Sequence, residues 1–253
     1  MTALRDEGGG TRLGRAADDG DAPLRLAHRG DHRHAPENTL AAFRAALAVP
    51  GCDGLEFDVR LSGDGIPVVL HDETLRRVHG RSERVADLSA AALVTIGVPT
   101  LATVLAEVGT EAFLDVELKI AGAAGPVVDA LRDSRGPAPA RVVISSFEHE
   151  ALARVAELAG GWPRWLNAGD LSGATIGAAR ELGCAGVSVR WQAIDEPGVR
   201  RAQLAGLDVA AWTVRRPEVL RRIAGLGLVA VCIEGSAMVA PPDDRPPDRQ
   251  PPA

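Results

Sequence analysis

Eight side chains stand where short apolar runs end, and their types suit the cleavage of a phosphate diester. His28 and Arg29 follow the run LRLA (24–27). Glu56 and Asp58 sit two apart in GLEFDV (54–59), and Asp115, Glu117 and Lys119 repeat that spacing in AFLDVEL (112–118) and just past it. His71 closes the run IPVVLHD (66–72). Residues two apart on a strand share one face. Three carboxylates brought together repel one another unless a cation joins them, and oxygen ligands favour a hard ion, Mg2+ or Ca2+, over zinc. Glu56, Asp58 and Glu117 are the candidate ligands. Two histidines from different segments can work as an acid–base pair near neutral pH. Arg29 has the planar fork that holds phosphate through two bonds.

Such a set needs elements that bring distant segments to one place. The chain alternates short apolar runs with helical stripes, the mark of βα units and a parallel sheet. Eight strands are expected: 24–27, 54–59, 112–118, 141–146, 163–168, 186–189, 208–214 and 230–235. Asn38 is expected to cap a helix through Leu40, Phe43 and Leu47, and Leu101, Val104, Leu105 and Val108 form another stripe. Further helices are expected near 148–158, 174–182, 197–205 and 217–224. The run 66–72 follows the second strand after the turn SGDG alone, too short a link for a parallel crossover, so it returns as the second arm of a hairpin. With Asp64-Gly65 as a two-residue turn, His71 lies opposite Asp58. Eight βα units plus this excursion predict an α/β fold, a TIM (β/α)8 barrel with a β-hairpin after the second strand, its chemistry at the carboxyl ends of the strands.

Composition narrows the partners. The net charge of −6 disfavours nucleic acid, and no apolar run reaches membrane-spanning length, so no stable membrane anchor is expected. The start lacks an apolar signal core, and the three cysteines (Cys52, Cys184, Cys232) are far apart; both point to reduced thiols and a cytoplasmic setting. Residues 1–22 read as a disordered arm, 23–240 as one barrel domain, and the Pro-rich 241–253 as a disordered tail. The oligomeric state stays open.

Over some 190 residues the chain resembles the glycerophosphodiester phosphodiesterases. The likeness runs from AHRG (27–30) and PENT (36–39) through EFDV (56–59), DGIPVVLHDETLRR (64–77), VPTLATVL (98–105), VELK (116–119) and SSF (145–147) to WTV (212–214). It implies a TIM barrel with one divalent cation on Glu56, Asp58 and Glu117, with His28 and His71 as general acid and base. Arg29 and Lys119 would contact phosphate, and Glu37 and Asn38 would brace the first loop. Lys119 is the one lysine among 28 basic residues. The implied reaction, part of phospholipid breakdown, releases glycerol 3-phosphate and an alcohol from a small-molecule glycerophosphodiester. Asp115 replaces a common Asn, Arg215 follows WTV where Asn is usual, and Ile233-Glu234 replaces Thr-Asp; these departures bear on leaving-group recognition. The linker after His71 leaves little room for a large cap.

Alternatives exist at several points. The same site could serve lysophospholipids, as a lysophospholipase D, or bind phosphodiesters without turnover. Trp212 stands either against a substrate head group or in the barrel core. Trp162, Trp165 and Trp191 read as packing, and His32, His34 and His79 as solvated loop residues. GLGLVA (225–230) precedes a strand instead of opening a helix after one, which excludes a dinucleotide loop.

Overall fold

Alternation builds the barrel wall. On strand β2 (Gly54–Leu61) the residues Leu55, Phe57 and Val59 are fully buried against helices, while Glu56 and Asp58 take the opposite, inward face. Strand β4 (Phe113–Leu118) repeats this with Leu114, Val116 and Leu118 outward and Asp115 and Glu117 inward. The computed structural model describes residues 22–239, so the proposed tail and all of the proposed arm but Ala22 lie outside the described residues.

Strands β1 (Leu24–His28), β2, β4, β5 (Val142–Ser146), β6 (Arg164–Ala168), β7 (Gly186–Arg190), β8 (Asp208–Val214) and β9 (Ala230–Ile233) pair in parallel, in that order. β1 pairs with both β2 and β9, which closes the cylinder. The expected eight-stranded barrel is therefore present. Helices α1 (Leu40–Leu47), α2 (Arg76–His79), α3 (Ala90–Thr95), α4 (Leu101–Val108), α5 (Ala124–Arg135), α6 (His149–Leu158), α7 (Gly173–Glu181), α8 (Glu196–Leu204) and α9 (Pro217–Ala224) lie between strands. No described helix is long and apolar enough to cross a membrane.

The cylinder is filled below the acids by Leu26, Phe113, Val143, Trp165, Ala210, Ala230 and Cys232. Phe113 and Trp165 stack with ring centroids 6.4 Å apart. Each large apolar side chain buried this way contributes about 1.5–3 kcal/mol. Gly54 is required where β2 meets β4: a Cβ there would lie 2.0 Å from the Phe113 carbonyl oxygen.

Three local expectations need correction. Strand β3 (Pro67–Val69) is antiparallel to β2, as expected, but its register is shifted by one residue: Val59 pairs with Val69 and Leu61 with Pro67. The turn has three central residues, not two. Ser62 closes it, with its backbone N–H donating to Ile66 O and its hydroxyl accepting from Ile66 N, both at 3.0 Å, and Gly65 takes the left-handed conformation at φ +78°. Leu70, not His71, therefore faces Asp58, its N–H 3.0 Å from Asp58 O. The ladder ends at Val69, and His71 is freed from strand alternation.

The cap of α1 is Thr39, whose hydroxyl accepts from Ala42 N; Asn38 is in a left-handed conformation (φ +58°) with its side chain turned inward. Helix α5 is not among the expected helices, and it carries Gly125-Pro126 in its first turn. Proline is tolerated in a first helical turn, and α5 buries Val127, Val128 and Leu131. The linker after His71 folds into α2 and α3 around a separate apolar cluster of Val68, Leu70, Leu75, Val85, Ala90, Leu93 and Val98.

Candidate metal and phosphodiester site

Barrel closure brings the strand ends together. Glu56, Asp58 and Glu117 are buried, and each offers one carboxylate oxygen within 4.8 Å of the others. Burial, then the charges of Asp58 and its neighbours, pushes the Glu56 carboxyl well above the usual range; burial and Asp58 push Glu117 up to about 7, against the pull of Lys119. Asp58 stays ionised: burial works against it, but Arg29 and Lys119 outweigh burial. Glu56 Oε2 and Asp58 Oδ1 have no hydrogen-bond partner despite being buried. Buried carboxylate oxygens without a hydrogen bond carry a heavy desolvation cost; the Lys119 ammonium 3.3 Å from Asp58 Oδ1 offsets part of it, and a hard cation with oxygen ligands relieves the rest. The donor set thus fits a divalent Mg2+ or Ca2+.

The two histidines face the same cavity of about 300 Å³, whose walls include Arg29, Lys119, Phe147 and Trp212. Each is oriented by a carboxylate. His28 Nδ1 lies 2.6 Å from Glu234 Oε2, and His71 Nδ1 lies 2.6 Å from Asp72 Oδ1. A proton on Nδ1, held by the carboxylate, leaves Nε2 of each ring for proton transfer; His28 Nε2 lies 3.9 Å from Glu56 Oε2. Burial, partly offset by Asp58 and Asp72, shifts the His71 imidazole downward, which keeps it available as a base. Glu234 is held near 2 by His28 and Arg215, although burial pulls the other way.

Cations line the cavity beside the acids. Arg29 Nε lies 3.1 Å from Asp58 Oδ2, and its Nη1 donates to Glu37 Oε1 at 2.9 Å. Its positive φ of 59° is followed by Gly30 at φ +82°, where a Cβ would collide with Ala42. That tight turn aims the guanidinium back over the barrel. Lys119 donates to Glu117 and lies 3.3 Å from Asp58 Oδ1. Asn38 Nδ2 donates to Asp58 Oδ2 at 2.9 Å, so it braces a carboxylate as well as the loop. Trp212 lines the cavity and also packs on the apolar cluster inside the barrel; its indole N–H donates to Ser188 O at 3.0 Å and its ring meets Phe147 edge to face.

The candidate ligands, both histidines, Arg29, Lys119 and Trp212 meet here, with Glu37 and Asn38 bonded to Arg29 and Asp58. Four others had not been assigned a place in it. Glu234 and Asp72 orient the histidines, and Arg77 joins Asp72 to Glu37, with bonds of 2.7 Å to each. Phe147 forms the wall beside Trp212. Glu234 directly follows the last strand, a positional cue like that of His28 at the end of the first, and Asp72 adjoins a histidine. His32, expected in solvent, is half-buried with Nε2 3.7 Å from Glu234 Oε2.

Residues 28–235 match the model of the glycerophosphoryl diester phosphodiesterase family. This chain belongs to that family. A glycerophosphodiester phosphodiesterase of Caldanaerobacter subterraneus subsp. tengcongensis is 34% identical over 155 residues, covering 54% of this chain and 63% of that relative, less than two thirds of its length. An uncharacterized protein of Bacillus subtilis is 32% identical over 226 residues, covering 80% of this chain and 90% of that one. Among solved structures, an Oleispira antarctica phosphodiesterase in complex with the product sn-glycerol-3-phosphate superposes with a TM-score of 0.77 at 27% identity, covering 87% of this chain and 94% of that one. The shared glycerophosphodiesterase barrel agrees with the closed sheet described above.

Proposed function

We propose that the chain hydrolyses glycerophosphodiesters to glycerol 3-phosphate and an alcohol, with one Mg2+ or Ca2+, as a step of phospholipid breakdown. The observation that carries this reading is the juxtaposition of a buried, under-bonded carboxylate triad with two carboxylate-oriented histidines on one cavity. Family membership and the product-bound Oleispira neighbour support the substrate class.

Glu56, Asp58 and Glu117 would hold the cation, which would supply charge neutralisation to the phosphate. Arg29 and Lys119 clamp the phosphate, and Trp212 lies along the leaving group. Glu37 and Asn38 hold Arg29 and Asp58 in place. One histidine takes the proton of the substrate's own 2-hydroxyl as that oxygen attacks phosphorus. The other gives its proton to the departing alcohol. The roles then reverse as water opens the cyclic phosphate. Residues 23–240 act as one catalytic domain, and the three unpaired cysteines suit a reducing, cytoplasmic setting.

A specific observation favours a second substrate. Phe147 and Ile120, which follow strands β5 and β4, are 46% and 36% exposed. They offer apolar surface to the acyl chain of a lysophospholipid. The test is glycerol 3-phosphate release from a panel of glycerophosphodiesters with calcium, magnesium or EDTA. Release with metal, abolished by EDTA and restored by added metal, is the expected result. Binding without release in added metal would reduce the protein to a phosphodiester receptor. Lysophosphatidic acid from lysophosphatidylinositol would establish the second substrate.

A further inference from the structure

The two aromatic rings at the mouth each already carry a cation. The Arg190 guanidinium lies 5.6 Å from the centroid of the Trp212 ring, and Lys119 Nζ lies 5.9 Å from that of Phe147. Trp212 and Phe147 meet edge to face at 5.6 Å and both line the cavity. A quaternary ammonium is recognised by the open faces of such rings, whose quadrupole attracts positive charge. Here those faces are shared with protein cations, and an incoming ammonium also meets their like charge. Arg190 ends β7 on the exposed rim, and no carboxylate ion-pairs with it among the described residues. Its charge is therefore not cancelled locally. Arg215 lines the same cavity but is paired with Glu234.

We propose that this mouth selects leaving alcohols without positive charge, the polyol head groups, and discriminates against choline and ethanolamine, with Arg190 on Trp212 as the specificity-determining contact. Hydroxyl-rich head groups accept hydrogen bonds readily from a guanidinium, whereas ammonium groups cannot accept any. This inference rests on the hydrolase reading above.

The experiment compares kcat/KM for glycerophosphoglycerol, glycerophosphoinositol, glycerophosphocholine and glycerophosphoethanolamine, with the full chain in added metal. The polyol diesters should be favoured about tenfold, chiefly through KM. Arg190→Gln should bring the four substrates to within about threefold of one another by improving the ammonium diesters, whereas Arg190→Lys should keep the preference. Arg190 is exposed, so the variants retain the fold. Equal kcat/KM across the panel, or an unchanged preference in Arg190→Gln, would overturn this inference and leave the hydrolase reading standing. Absence of glycerol 3-phosphate from every diester would overturn both.

Discussion

Glu234 shows how one side chain links a fold to a proton transfer. Its carboxylate is largely buried, holds His28 Nδ1 at 2.6 Å and is itself held by Arg215. A charge-assisted bond of this kind is worth about 1.5–3 kcal/mol. Glu234→Gln keeps the shape and removes the charge, so kcat should fall roughly 10–100-fold with little change in KM, as steady-state kinetics on one diester would show. An unchanged kcat would remove Glu234 from the positioning of His28. Asp72 plays the matching part at His71. Burial raises its carboxyl, but the bonds from Arg77 and His71 prevail and hold it near 2. A carboxyl depressed in the folded state stabilises above its unfolded value and loses that contribution as pH falls through the folded one. The urea-midpoint advantage of the parent over Asp72→Asn should therefore persist at about pH 5 and shrink toward about pH 2. A gap that stayed constant over this range would mean the carboxylate gains nothing from its partners.

At the scale of elements, the short helix α2 locks two loops together. Arg77 makes two bonds to Glu37, which holds Arg29, and two to Asp72, which holds His71. Arg77→Ala should leave the fold intact while raising KM through Arg29 and lowering kcat through His71, about tenfold in kcat/KM. Combined with Asp72→Asn, the loss should be smaller than the product of the two single losses, because residues in one network do not act independently; full multiplicativity would disconnect α2 from His71. This clamp was not legible in the sequence, although its parts were. Strand-end acids could be read directly, because alternation with Leu, Phe and Val sets their face whatever the strand's neighbours are. The eight strands and most helices followed from the same periodicities. What failed depended on choices that periodicity does not encode. Ser62 adds a side-chain bond that lengthens the hairpin turn, and that one residue shifts the register. Thr39 outcompetes Asn38 as a cap because Asn38 is drawn inward to Asp58. Glu234 meets His28 across 206 positions of sequence only because β1 pairs with β9.

At the scale of the whole molecule, the cation would tie together staves that the chain supplies separately. Glu56 and Asp58 come from β2 and Glu117 from β4, and Asp58 and Glu117 are direct Cα partners in that pairing. Without a cation the barrel holds like charges at its mouth, and both Glu56 and Glu117 respond by retaining protons to higher pH. A ligand bound only by the folded state stabilises it in proportion to the logarithm of its saturation, about 2.7 kcal/mol at a hundred times Kd. For a barrel of this size each kcal/mol raises Tm by roughly 2–4 °C. Calcium or magnesium should therefore raise Tm by several degrees in a calorimetric scan without substrate present. Protons compete for the same oxygens. The rise should be full above about pH 7 and diminish below it, where the Glu117 carboxyl takes up its proton. Glu117→Gln removes one ligand and one charge, so its Tm in EDTA should equal or exceed that of the parent while its response to metal collapses. A Glu117→Gln protein that still gained the parental shift would show the stabilising ion to be bound elsewhere, and the carboxylate triad would lose its claim to the metal.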